Sequence, residues 1–375
     1  MISLRFDPRF PAPEALTAPG GFVWWYLDLT DGAGNGVVLI WSFGLPFLPG
    51  YADAARKGQG QAPLSRPSLN VAVYKGGWEN VYLLQEYPPD AVSLDVERGE
   101  LRVGRSTLRS WVEGQERRVL IELDCPVPGS AERLTGRVEA RGPAVFPVTS
   151  PAPQDDPHAW TPMLVGVEGE ATLHHGGETV LSLRGRVYHD RNQSTLPLHD
   201  LGIQHWIWGR LACGAAGERI YYLLWPPDGP PEAYAIQIRP DGGLTVHEHA
   251  EVILGAERRA IFGVPYWDSL TVRVNGEDWA VVHKHKVVDN GPFYLRFLTW
   301  ATLPDQTEAF GVAEAVRPDR VDLDLHRGMV KARVHFIGQE NNALLPLMSG
   351  PVKSRLGRLF GQLRVKPTTV AEETP

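Results

Sequence analysis

Asn275-Gly276 lies between the alternating runs Val272-Arg273-Val274 and Trp279-Ala280-Val281-Val282. That pair is the preferred chemistry for a two-residue hairpin turn in which both central residues take positive φ. Gly176-Gly177 plays the same part inside ATLHHGGETVLSL, and Arg98-Gly99 inside LDVERGELRVG. Between such turns the chain runs in short stretches of Val, Leu, Ile, Tyr and Trp, punctuated by 39 glycines and 32 prolines. This grammar predicts an all-β protein of antiparallel hairpins. Helical periodicity emerges only in the C-terminal tail.

An internal repeat suggests how the strands are grouped. Gly21-Phe22-Val23-Trp24-Trp25 matches Gly202-Ile203-Gln204-His205-Trp206 at an offset of 181, which also aligns Gly36 with Gly217, Leu39 with Ile220 and Trp41 with Tyr222. A long-period match of this kind indicates duplicated domains rather than solenoid units. The expected fold is two lipocalin-like antiparallel β-barrel domains in tandem, over 1–198 and 199–345, followed by a short basic helix and a disordered tail over 346–375. A pair of β-sandwiches is the competing architecture. Within 353–366, Lys353, Arg355, Arg358, Arg364 and Lys366 accompany Leu356, Leu359, Phe360 and Leu363 at helical spacing, with no acid. Such a helix either packs on its own barrel or makes a peripheral contact with an anionic membrane surface.

Composition narrows the function. The 375 residues are 43% hydrophobic and 22% charged, with a net charge of −7, so no basic face for nucleic acid is expected. Cys125 and Cys213 carry no metal spacing and form no disulfide framework. The start, MISLRFDPRF, lacks the apolar core of a secretion signal, and no apolar run has the roughly 18 residues needed to span a bilayer. A cytoplasmic protein, at most peripheral to the inner membrane, is the expectation.

Chemistry concentrates in Gly185-Arg186-Val187-Tyr188-His189-Asp190-Arg191-Asn192. On a strand, Tyr188 and Asp190 share one face and His189 takes the other. Upstream, His158 and Trp160 are likewise two apart. If Gly176-Gly177 is a two-residue loop, His175 faces Glu178, Tyr188 faces Val165 and Asp190 faces Met163, which brings the H-x-W and Y-x-D pairs to one end of one hairpin. The plainer alternative is a core Tyr and Trp beside a surface Asp that caps a turn with Asn192. Trp24, Trp25, Tyr26, Trp41, Phe43 and Phe47 either line an apolar cavity or fill a barrel core.

The set H-x-W and Y-x-D-x-N after an N-terminal WWYLD resembles the carotenoid 1,2-hydratase family, which includes hydroxyneurosporene synthase and AttH-like proteins. The matching residues are Trp24, Trp25, Tyr26 and Asp28, then His158 and Trp160, then Tyr188, Asp190 and Asn192, and the resemblance runs from about residue 20 to 345. It implies two lipocalin-like domains and a catalytic set of His158, Trp160, Tyr188 and Asp190, with Asp190 as the acid. Family members continue after Y-x-D with H-N-W-G, where this chain has Arg191-Asn192-Gln193-Ser194, which leaves the substrate open.

Hydration of an isolated alkene needs an acid strong enough to protonate carbon and a surround that stabilises a tertiary cation, but no cofactor. An Asp in an apolar pocket has its pKa raised and can stay protonated near neutrality. Trp160 and Tyr188 would offer π faces to the cation, and His158 would position the acid or the water. The expected partner is an apolar small molecule of isoprenoid or carotenoid type, bound by Trp24, Trp25, Tyr26, Trp41 and Asn192. The alternatives are a cyclase or isomerase acting on a polyene, and a non-catalytic lipid or polyene carrier. His247-His249 and His283-His285 read as H-x-H pairs on strands, for which polar, solvent-facing positions are the default and no metal is assigned. Asp322 and Asp324 read as the wet face of a half-buried strand.

Overall fold

The computed structural model describes residues 3–4, 13–148, 158–353 and 355; residues 3, 4, 284 and 285 are described by their backbone alone. Most of the proposed tail helix at 353–366 therefore lies outside the described residues.

The turns form where their chemistry places them. His175 pairs with Glu178 around Gly176 and Gly177 (φ 59° and 77°). Val274 pairs with Glu277 around Asn275 and Gly276 (φ 53° and 80°). Built from such hairpins, the strands assemble into one 14-stranded and one 10-stranded sheet, with a two-stranded ribbon beside them. In the first sheet Phe22–Thr30 lies between Gly36–Phe43 and the long strand Glu178–Ser194, whose hairpin partner is His158–His175. In the second, His205–Ala212 lies between Glu218–Trp225 and Glu308–Val316 in the same arrangement. Short strands cross between the sheets: Phe146–Pro147 joins the second, while Val334–Phe336 and Gly350–Pro351 return to the first.

Both sheets curl. Val81 and Leu83, near one edge of the first sheet, share a core with Leu101 and Leu108 from the other edge. Ala233 and Val272 do the same in the second sheet. Strand alternation then fixes which residues are left for the outside. Val23, Trp25, Leu27 and Leu29 fill the first interior, so Phe22, Trp24, Tyr26 and Asp28 face away from it. In the second sheet Ile207 and Leu211 point inward, while Trp206, Trp208 and Arg210 point out. The outward faces pack against one another in a third core that contains Tyr26, Tyr188, Trp206, Trp208, Ile220 and Val312.

This alternation corrects the repeat. An offset of 181 would equate Trp25, inside the first sheet, with Trp206, outside the second. A one-residue slip exchanges every side chain between faces. The strand ends agree on 182 instead, matching Thr30 with Ala212, Gly36 with Glu218 and Phe43 with Trp225. At that offset Trp24 corresponds to Trp206, Tyr26 to Trp208 and Asp28 to Arg210. Two of these pairs touch across the packed faces. The rings of Tyr26 and Trp208 lie 5.8 Å apart, and Arg210 Nε donates to Asp28 Oδ1 at 2.9 Å. Glu218 completes a fully buried charge cluster by accepting from Arg210 Nη1 at 2.5 Å.

Asp322 and Asp324 lie on no strand. Asp322 is buried with φ 57° and accepts from the backbone N–H groups of Gly50 and Asp53, both at 2.9 Å, while Asp324 opens the helix Asp324–Lys331. The Asp322 carboxylate thus satisfies the first turn of the helix Tyr51–Arg56 from far along the chain, as an N-cap would.

Candidate active site

The long hairpin brings the two motifs together through a bulge. Val165 faces Tyr188, the pairing expected from a two-residue turn, because register shifts at Leu173/His174 and at Val165/Val167 offset each other; a third shift at Met163 then sets Asp190 opposite Pro162. The shift sets Trp160 opposite Asn192 and His158 opposite Ser194.

Three neutral donors converge on Asp190. Tyr188 Oη donates to Oδ2 at 2.6 Å, Trp160 Nε1 donates to the same oxygen at 2.7 Å, and Asn192 Nδ2 reaches Oδ1 at 3.2 Å. Trp160 Nε1 also lies 3.1 Å from Tyr188 Oη. With Oδ2 taking two donors, the proton of the neutral acid belongs on Oδ1. Burial raises the carboxyl to about 7 against the opposite pull of the Tyr188 and Trp160 hydrogen bonds, and Glu314 and Asp28 add to the rise. The phenol of Tyr188 is itself driven far up by burial, with the Asp190 charge second, so it stays a donor.

Asp190 opens onto a cavity of about 40 Å³ between the two sheets, walled by Trp24, Tyr26, Trp160, Asn192, Trp206, Trp208, Tyr222 and Glu314. A larger space of about 230 Å³ shares Trp24, Tyr26, Trp206 and Glu314 with it and runs outward past Phe47, Tyr82, Phe293, Tyr294 and Met329. Together they form a mainly apolar space with Asp190 on its inner wall, Glu314 shared by both parts, and Asp289, Arg296 and Arg333 on the outer part. The site lies between the curled sheets and inside neither.

Of the residues singled out above, Trp24, Tyr26, Trp160, Asp190 and Asn192 wall the inner cavity. Trp25 and Trp41 do not: both belong to the first interior, on the opposite face of their strands. His158 is fully buried, edge-on to Phe22 at 5.8 Å, and set back from the cavity wall. His189 points away from Asp190, its Nδ1 2.8 Å from the Tyr26 carbonyl, and burial lowers it to about 3, so it is a neutral donor there. His247 lies on the strand Gly243–Glu248 while His249, beyond its end, turns at φ 58°, so the two do not share a strand face. Among the described residues no three His, Cys, Asp or Glu side chains are grouped to hold a metal.

Trp206, Trp208, Tyr222 and Glu314 were not anticipated as site residues. Glu314 carried a legible signal: in Phe310-x-Val312-x-Glu314-x-Val316 it is the one charge in an apolar row of period two.

Residues 39–339 match the family model described as carotenoid hydratase CrtC. The chain is 26% identical over 363 residues to a hydroxyneurosporene dehydrogenase of Chlorobaculum tepidum, covering 91% of this chain and 94% of the relative. It is 27% identical over 339 residues to an acyclic carotenoid 1,2-hydratase of Thiocapsa roseopersicina, covering 88% and 77%. A crystal structure of a putative AttH protein from Nitrosomonas europaea shares the fold, with a TM-score of 0.53 and 13% identity, over 82% of this chain and 97% of that one. Among the described residues no helix is long and apolar enough to cross a membrane.

Proposed function

The chain belongs to the carotenoid hydratase family, and from that premise we propose that it adds water to a terminal C=C bond of an acyclic carotenoid, with Asp190 as the acid and no cofactor. The observation that supports this most is the state of Asp190. It is buried, is held by neutral donors only, and titrates near 7, so it can be loaded with a proton on the inner wall of a mainly apolar space.

The polyene enters through the outer space and lays its terminal double bond beside Asp190. The acid's O–H bond breaks as a C–H bond forms at the less substituted carbon, which leaves a tertiary cation. Trp24, Tyr26, Trp160, Trp206 and Trp208 surround that position with π faces, each worth about 2 kcal/mol to a desolvated cation. Water then attacks the cation, and a proton from it restores the balance. Tyr188 and Trp160 orient the carboxyl through Oδ2; His158, buried against Phe22, completes the proposed set from outside the cavity wall.

The test is incubation with lycopene, an acyclic carotene, followed by mass spectrometry. The expected product is heavier by one water and carries oxygen from labelled water, and Asp190→Asn forms none of it. A product of unchanged mass would favour a cyclase or isomerase, and lycopene returned unaltered would favour a carrier.

A further inference from the structure

We propose that Glu314 is the general base of the reaction, taking the proton of the attacking water from the place in the second sheet that Asp190 holds in the first. The assignment rests on the hydratase reading above.

The strand ladders establish the correspondence. Asp190 faces Tyr26 across its ladder, and Glu314 faces Trp208. Tyr26 and Trp208 correspond at the offset of 182, and both ladders join the first strand of a sheet to the strand that closes its meander. The two carboxylates are thus equivalent positions of a duplicated fold, and both wall the same inner cavity.

Their surroundings have diverged. Asp190 has only neutral donors, whereas Glu314 lies beside a cation. Arg296 faces it across the ladder, with Nε and Nη2 each 3.3 Å from Oε1, and Tyr294 Oη donates to the same oxygen. The guanidinium is fixed from its other side by Tyr74 Oη, 2.9 Å from Nη1. Burial raises the Glu314 carboxyl, and Arg296 and Tyr294 oppose that rise, which suits a base that must be ionised and yet accept a proton. All three donors converge on Oε1, leaving Oε2 for a water. A second polar group is available to that water: the Tyr26 hydroxyl is buried in the same wall and has no hydrogen-bond partner among the described residues. A cavity of about 40 Å³ has room for a water beside a substrate terminus.

The step balances. Asp190 loses its proton to carbon. Water forms the C–O bond to the cation, its O–H bond breaks, and the proton passes to Glu314. A turnover ends with Asp190 ionised and Glu314 protonated, and transfer through water in the inner cavity resets both.

Incubation of the full chain with lycopene in deuterated water separates the two steps. In Glu314→Gln, Asp190 still protonates the alkene, but the cation must collapse by returning a proton to Asp190. Hydration is expected to fall by about 100-fold or more while deuterium still enters the terminal carbons, so the ratio of exchange to hydration rises by a similar factor. Asp190→Asn is expected to lose both. Hydration by Glu314→Gln within threefold of wild type, or loss of exchange together with hydration, would overturn the assignment. Should Glu314→Gln fail to fold, Glu314→Asp decides: measurable hydration by it supports a carboxylate base, and a folded Glu314→Asp that exchanges no better than Asp190→Asn sinks it. Wild-type protein that neither hydrates nor exchanges would overturn the hydratase reading itself, and this assignment with it.

Discussion

Asp28 and Arg210 hold the same place in the two sheets and are bonded to each other, both fully buried. Arg210 is also the partner of Glu218, so one guanidinium serves two buried carboxylates. Arg210→Met should leave both acids without a cation and cost about 3–5 kcal/mol of stability, read from the urea midpoint. A loss under about 1 kcal/mol would mean that the cluster is not dry in solution.

In the proposed reaction Asp190 works protonated and Glu314 ionised, so hydration should fall tenfold per unit above about pH 7 and fall again at low pH as Glu314 takes up its proton. Stability follows Asp190. Its carboxyl is raised from 3.8 to about 7 on folding, so between those values the folded protein binds more protons than the unfolded chain. Stability is therefore lost as pH rises through that window, by up to about 1.4 kcal/mol per unit from this residue. Asp190→Asn should abolish that slope. Denaturant melts of both proteins across the window give the comparison, and parallel slopes would refute the assignment.

Tyr188→Phe removes a donor that favours the ionised form of Asp190. The descending limb should move to higher pH, while the rate at its plateau falls by about 10-fold through lost orientation. A limb that moves down, or stays in place, would show that the hydrogen bond is not made in the active protein.

Trp24 and Trp25 separate binding from folding at adjacent positions. Trp24→Ala should raise KM for lycopene strongly and change the melting temperature little, because the side chain walls both cavities and remains partly accessible. Trp25→Ala should cost about 3–5 kcal/mol, since its side chain fills the first interior. Equal losses of stability in the two variants would contradict the face assignment.

Much of this architecture was legible in the chain. The glycine turns at 176–177 and 275–276 carry their own chemistry, and alternation placed Tyr188 with Asp190 and against His189. The slip at Met163 was not legible, because a bulge residue has no side-chain requirement that marks it. The repeat was found one residue out of step. Identity rewards the matched glycines and tryptophans, whereas the fold conserves the faces of its strands. Aromatic content alone could not divide Trp24 from Trp25, or Ile40 from Trp41, since a curled sheet uses large apolar residues on both sides. Glu314 is marked in the sequence as the one charge of an apolar row, but its place on Asp190's cavity is set by the packing of the two sheets, which no local pattern encodes.

The direct contact of Asp28 with Arg210 constrains the history of the molecule. Two identical chains related by a twofold axis can oppose only like to like at corresponding positions on that axis, so an acid would meet its own copy. Opposite charges there, and two carboxylates held by different neighbours across one cavity, are open only to copies free to change independently, as the two halves of this chain are. Divergence of the two halves is in that sense part of the chemistry, because it lets equivalent positions carry an acid in one sheet and its counter-ion in the other.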